Sequence, residues 1–254
     1  MRLLWGLPDT GTLKDYDMST LPYRLNKTPH PFCGLGMLRF ALVLACLSVS
    51  ATARANYLSD DDVDVIGALE PAPKINSAIA KADREVSESW QERRTTQDCE
   101  NVLHESRVKL QALFGAPEGP LSDAEVARLS PFMMKVKQDG SSLSELGKNH
   151  WKRLRPYLQY GNTVKLCPGL EPPGDYSYPS GHATGSRLFA LVLGEIFPAR
   201  RSAFLTRADH VAEDRVIAGA HFPSDIEAGK KLGDLIFAAL MRNDSFREDL
   251  RKQR

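Results

Sequence analysis

From residue 74 onward apolar residues recur at three- and four-residue spacing between proline and glycine breaks, and no stretch alternates as a half-buried strand must. That pattern predicts helices and little else. Segments 74–94 and 98–114 contain neither Pro nor Gly, and 115–120 breaks the run. Ser122 with Glu125, and Ser142 with Glu145, have the spacing of capping boxes and predict two further helices. The second is expected to pass Trp151 and stop near Arg155, because Pro156 biases the preceding residue away from helical angles. The Pro- and Gly-rich stretch 157–178 reads as a long loop, and helices are expected over 180–197 and 201–217. A last helix begins at Pro223, with Ser224 and Glu227 as another capping box, and runs to 241; residues 251–254 read as a frayed tail. The fold class is all-α, a single-domain helical bundle.

Residues 37–55 stand apart. One charge at Arg39, the apolar run 40–49 and the exit Ala53-Arg54-Ala55 have the layout of a cleavable secretory signal peptide. Ten apolar residues are too few to span a bilayer, which needs about 20; a buried core helix is the alternative to a signal peptide. Residues 1–36 form an upstream extension, with Met37 a candidate start. Cleavage before Asn56 leaves residues 56–254 as the folded domain, periplasmic or secreted, with no later apolar run of membrane length. It removes six of 33 Lys and Arg and three of 32 Asp and Glu, leaving a net charge of −2. Neither the whole chain, at +1, nor this remainder has the basic excess of a nucleic-acid partner.

Two cysteines outlast cleavage, Cys99 and Cys167. In an oxidising compartment they are a candidate disulfide; two unrelated buried thiols are the alternative.

Three clusters carry the chemistry. Lys148 and Arg155, seven residues apart, would face one side of a continuous helix, although a solvated basic face explains them as well. Pro179-Ser180-Gly181-His182 opens a helix, where unpaired backbone N–H groups favour an anion; an ordinary Ser N-cap beside an incidental His is the bland reading. Arg215, His221 and Asp225 follow, with Gly219 offering the stop that lets His221 turn back, and with Asp225 placed to hold one imidazole nitrogen. A solvated Arg and a local His–Asp pair would also account for these three.

Taken together, three cations, a helix N-terminus, two imidazoles and a carboxylate suit phosphoryl transfer. The cations would neutralise non-bridging oxygens, one His would attack phosphorus and the other would protonate the departing alkoxide.

Lys148-x6-Arg155-Pro156, Pro179-Ser180-Gly181-His182 and Arg215-x5-His221-x3-Asp225, in this order, resemble the signature of the type 2 phosphatidic acid phosphatase and vanadium haloperoxidase superfamily. Tyr178-Pro179-Ser180-Gly181-His182-Ala183-Thr184 looks most like its bacterial class A non-specific acid phosphatases. The resemblance implies a helical fold, a phosphohistidine intermediate, and no metal or other cofactor. It assigns His221 as nucleophile, His182 as proton donor and Asp225 as its orienter. Lys148, Arg155, Ser180, Gly181 and Arg215 become phosphate ligands. The implied activity is a secreted acid phosphatase acting on small phosphomonoesters, with a lipid phosphate or diphosphate phosphatase, or a phosphotransferase, as alternative. A vanadate-dependent haloperoxidase and a non-catalytic phosphate-binding module are further readings. A homo-oligomer is left open.

The family usually places Ser before the third-motif Arg, where this chain has Asp214. About 100° round the helix from Arg215, Asp214 is expected to face solvent. His104, His150 and His210 lack metal-ligand spacing, and Asp60-Asp61-Asp62 lacks an EF-hand pattern.

Overall fold

The computed structural model describes residues 57–254; the extension and signal-type segment over 1–55 lie outside them. Among the described residues ten α-helices follow in order: α1 (Val65–Ala68), α2 (Ala78–Arg93), α3 (Thr96–His104), α4 (Leu110–Phe114), α5 (Asp123–Trp151), α6 (Pro156–Gln159), α7 (Gly181–Ile196), α8 (Arg201–Ile217), α9 (Pro223–Leu240) and α10 (Asp244–Arg251). Among the described residues there is no strand, only two isolated bridges, so the class is all-α.

α7 is the centre of the bundle. It buries residues on nearly every side, including Leu188, Phe189, Val192 and Leu193, as a helix enclosed by others must. α8, α9 and α5 pack around it. Glycine permits the closest approach: a Cβ on Gly229 of α9 would lie 2.6 Å from the Ser180 carbonyl oxygen, and one on Gly147 of α5 would lie 2.6 Å from Pro179 Cδ. Both neighbours are thereby drawn against the N-terminus of α7.

Four local expectations need correction. Ser142 starts no helix. The Ser122–Glu125 box opens α5, which then continues unbroken for 29 residues past Pro131 and Ser142. Its buried positions Val126, Leu129, Met133, Val136, Gly140, Leu143 and Gly147 keep one face in the core, and that packing overrides the local capping pattern. Segment 98–114 is two helices, with residues 105–109 between them carrying Glu105 and Val108 inward.

Ser224 and Glu227 do not cap α9 either. Its N-cap is Phe222 with Pro223 first in the helix, and the Phe222 N–H donates to Asp225 Oδ2 at 2.8 Å. The tail is not frayed: Phe246 and Leu250 of α10 are buried, Phe246 stacks on Phe132, and Arg254 pairs with Glu195 at 3.1 Å.

Candidate active site

Ser180 caps α7, accepting from the Ala183 N–H, while its own N–H donates to the Asp225 carbonyl at 3.0 Å. The first turn of α7 faces Lys148: a Cβ on Gly181 would meet Lys148 Nζ at 3.3 Å, a tight contact that glycine avoids. Lys148 sits in the last turn of α5, paired with Glu145 Oε1 at 2.6 Å; burial pulls its ammonium pKa down.

Arg155 reaches the same cavity by a different route from the one its spacing implies. α5 stops at Trp151, Lys152 adopts left-handed angles (φ 50°), and Arg155 is extended, just before Pro156 of α6. Its guanidinium is anchored on the carbonyls of Gly174 and Ala220, the latter at 2.9 Å, and Nη1 also meets His221 Nε2 at 2.8 Å. Arginine only donates, so Nε2 holds a lone pair and the ring proton lies on Nδ1.

Beyond α8 the chain reverses at Gly219 (φ 74°), where a Cβ would strike the Lys165 carbonyl at 2.4 Å. The Ala220 and His221 N–H groups both donate to the Arg215 carbonyl, at 3.2 and 3.1 Å, folding His221 back beside Arg215. Arg215 Nη2 donates to the Val102 carbonyl at 3.3 Å, and among the described residues its buried Nε has no partner. A buried donor without a protein acceptor suits an oxyanion.

Lys148, Arg155, Gly181, His182, Arg215 and His221 thus line one cavity of about 320 Å³. Ser180 and Asp225, both fully buried, stand behind it. His221 Nδ1 lies 3.6 Å from Asp225 Oδ2, beyond hydrogen-bond length. Burial, then Arg155, Lys148 and Arg215, hold the His221 imidazole well below its usual pKa. Burial, Arg215 and His221 do the same to His182, whose Nε2 lies 3.2 Å from the Glu105 carbonyl. Both rings are therefore neutral at neutral pH.

Three further residues matter that the motifs do not mark. Arg153, between Lys148 and Arg155 in the chain, is buried between Asp225 Oδ1 and Asp83 Oδ2, at 2.7 Å each. Asp83 also accepts from the Ser224 N–H at 3.0 Å. Ala80, Asp83 and Ser87 share the buried face of α2, and an acid on such a stripe is the available sequence clue. Glu105 is buried against Arg207 and Arg215.

Asp214 does not face solvent as its angle implies. It is partly buried and hydrogen-bonded to Glu105, and burial together with the Glu105 charge pushes its pKa up to about 7. Cys99 and Cys167 form a disulfide tying α3 to the loop before the second motif, 68 residues apart.

Residues 136–248, which span all three motifs, match the PAP2 superfamily. The chain is 27% identical over 224 residues to a non-specific acid phosphatase of Salmonella typhi, covering 84% of this chain and 88% of that one. A non-specific acid phosphatase of Providencia stuartii is 26% identical over 205 residues, 77% of this chain and 82% of its own. A lipid A 1-phosphatase of Rhizobium etli is 42% identical over 134 residues, 52% of this chain and 53% of its own. The motif residues are thus gathered around one cationic cavity and all lie inside the stretch, residues 136–248, that matches the PAP2 superfamily.

Proposed function

We propose that the chain is a metal-independent acid phosphatase that hydrolyses phosphomonoesters to an alcohol and inorganic phosphate through a phosphohistidine. The observation that carries this reading is the Arg155 Nη1 to His221 Nε2 contact of 2.8 Å, which leaves the lone pair on the cavity-facing nitrogen. The phosphoryl group sits among Lys148, Arg155, Arg215, the Ser180 hydroxyl and the first N–H groups of α7, which take up its negative charge. His221 Nε2 attacks phosphorus, the P–O ester bond breaks, and the departing alkoxide takes a proton from the His182 imidazolium. Water then attacks the phosphohistidine, giving its proton to His182, and the P–N bond breaks to release phosphate and His221.

His182 must carry a proton for the first step although its surroundings disfavour one. A bound phosphate dianion offsets Arg215 and raises its pKa, and an acidic optimum follows. Asp225, fixed by Arg153 and the Phe222 N–H, stabilises the positive charge that develops on His221. The test is p-nitrophenyl phosphate turnover in EDTA with alkaline-quench trapping, since the P–N bond survives base and not acid. Wild type is expected to turn over and trap phosphate on His221, and His221→Ala to do neither. Wild-type-like turnover by that variant overturns the assignment.

Export to the periplasm or beyond is part of the proposal. Its supports are the signal-type layout over 37–55 and the Cys99–Cys167 disulfide, which belongs to an oxidising compartment. Among the described residues no helix is long and apolar enough to cross a membrane.

One observation favours esters with an apolar leaving group, as in a lipid phosphate. A second cavity of about 730 Å³, with Met133, Met134, Leu110 and Phe189 in its lining, shares Val108 and Ser141 with the catalytic cavity.

A further inference from the structure

The outlined reaction makes no use of the carboxylates behind Arg215. Glu105 caps α3 and is 1% exposed, yet it touches both sides of the catalytic cavity. Its carboxylate lies 2.5 Å from Arg207 Nη2 and 3.4 Å from Arg215 Nη2, while its carbonyl meets His182 Nε2 at 3.2 Å. Asp214 hydrogen-bonds to the same carboxylate. A buried carboxylate and a partly buried one in contact are costly to ionise together, and a hydrogen bond between them needs a proton.

We propose that Glu105 and Asp214 are a proton-sharing pair of positioning residues that sets how strongly Arg215 is held away from a bound oxyanion, so that anion affinity falls when the pair loses its proton. The inference rests on the reading of the cavity as a phosphate site. With one proton the pair carries a single negative charge against Arg207 and Arg215, leaving the two arginines a net positive charge for an anion. Without it the pair carries two and cancels them. Burial and the Glu105 charge place the change near pH 7, where Asp214 titrates.

Groups from every neighbouring element face Asp214. Glu105 and His104 come from the end of α3, Glu118 from the loop after α4, and Arg207, His210 and Glu213 from α8, all lining one cavity with it. Arg215 adjoins it from the catalytic side. His104 and His210 share that cavity, so the informative comparison is between variants rather than between pH values alone.

Sulfate is a suitable probe because its charge is constant where phosphate titrates. Its binding is measured calorimetrically on the purified protein and on Asp214→Ser, which restores the residue the family usually has there. The wild-type Kd is expected to rise about three- to ten-fold more than that of Asp214→Ser between about pH 6 and pH 8. With p-nitrophenyl phosphate near pH 8, Asp214→Ser is expected to lower KM while kcat stays within about two-fold, a split that general loosening would not produce. Should Asp214→Ser not fold, Asp214→Asn supports the same comparison. Equal pH dependence in two proteins that both bind sulfate overturns this proposal alone. A wild type that binds no sulfate at any pH overturns the phosphate-site reading, and this proposal with it.

Discussion

Arg155 Nη1 and His221 Nε2 share a hydrogen bond of 2.8 Å, so in the proposed reaction the cation that would neutralise substrate also caps the nitrogen that would attack it. Both tasks cannot be done by that N–H at once. In that proposed reaction an entering phosphoryl group would take the donor from Nε2 and free the lone pair at the moment it is needed. The same guanidinium is the second cause, after burial, of the low His221 pKa.

Arg155→Ala is therefore expected to do two separable things. It raises the His221 pKa, so the acid limb of kcat/KM, which requires a neutral nucleophile, moves to higher pH. It also lowers kcat/KM by about 10²–10³-fold through lost charge stabilisation. Titration of the His221 ring protons by NMR and a pH–rate profile check both. An unmoved acid limb would refute the coupling.

Arg153 is a structural counterpart. It is almost wholly buried between Asp83 and Asp225, so Arg153→Met leaves two buried carboxylates without their cation. Removing one member of such a set costs about 3–5 kcal/mol. Urea unfolding is expected to show that loss at neutral pH. Recovery is expected as the pH falls into the acidic range and Asp225, whose pKa burial already raises, takes up a proton, because an unpaired buried acid folds best when protonated. A midpoint equal to wild type would mean the triad is not what holds Asp225.

Across 68 residues, the Cys99–Cys167 bond restricts the unfolded chain, and the loop-entropy relation gives about 4 kcal/mol for a closure of that length. Cys99→Ser/Cys167→Ser should lower stability by an amount of that order. Because α3 leads into Glu105, the variant should also raise KM for p-nitrophenyl phosphate more than it lowers kcat. Unchanged unfolding in denaturant would show that the cross-link adds nothing to the fold.

What was legible in the sequence and what was not separates along contact distance. α7 and α8 are bounded by local devices, Ser180 and Pro198 for one and Gly219 for the other, and the chain displays them directly. The break between Lys148 and Arg155 is local too, yet it was missed, because the helical spacing rule fits both a continuous helix and the actual left-handed turn at Lys152. The Ser142 pattern misled for the opposite reason: packing of α5 on α7 decided the matter against a good local cap. Asp214 shows the limit most plainly. Its angle relative to Arg215 was readable, but the carboxylate it meets lies 109 positions earlier, and nothing near Asp214 announces Glu105. The motif residues came together because the resemblance supplied long-range information that periodicity does not hold.

The larger cavity makes a claim about leaving groups that chain length can test. Met134, Lys137, Ser141, Glu145 and Lys148 recur at three- and four-residue spacing along α5, so one helix face leads from the phosphate cation into the apolar groove. From Lys148 to Met134 is about 21 Å at 1.5 Å per residue, long enough for an alkyl chain to lie along it. Each methylene buried there is worth about 0.8 kcal/mol, an upper limit of roughly four-fold in kcat/KM. Across methyl, butyl, octyl and dodecyl phosphates below their micellar concentrations, kcat/KM should climb and then level off once the groove is filled. Met134→Asp puts a charge in the path and should flatten the climb for the longer esters while methyl phosphate is least affected. A flat series in the wild type, with methyl phosphate still hydrolysed, would eliminate the apolar leaving group and leave the phosphatase reading intact.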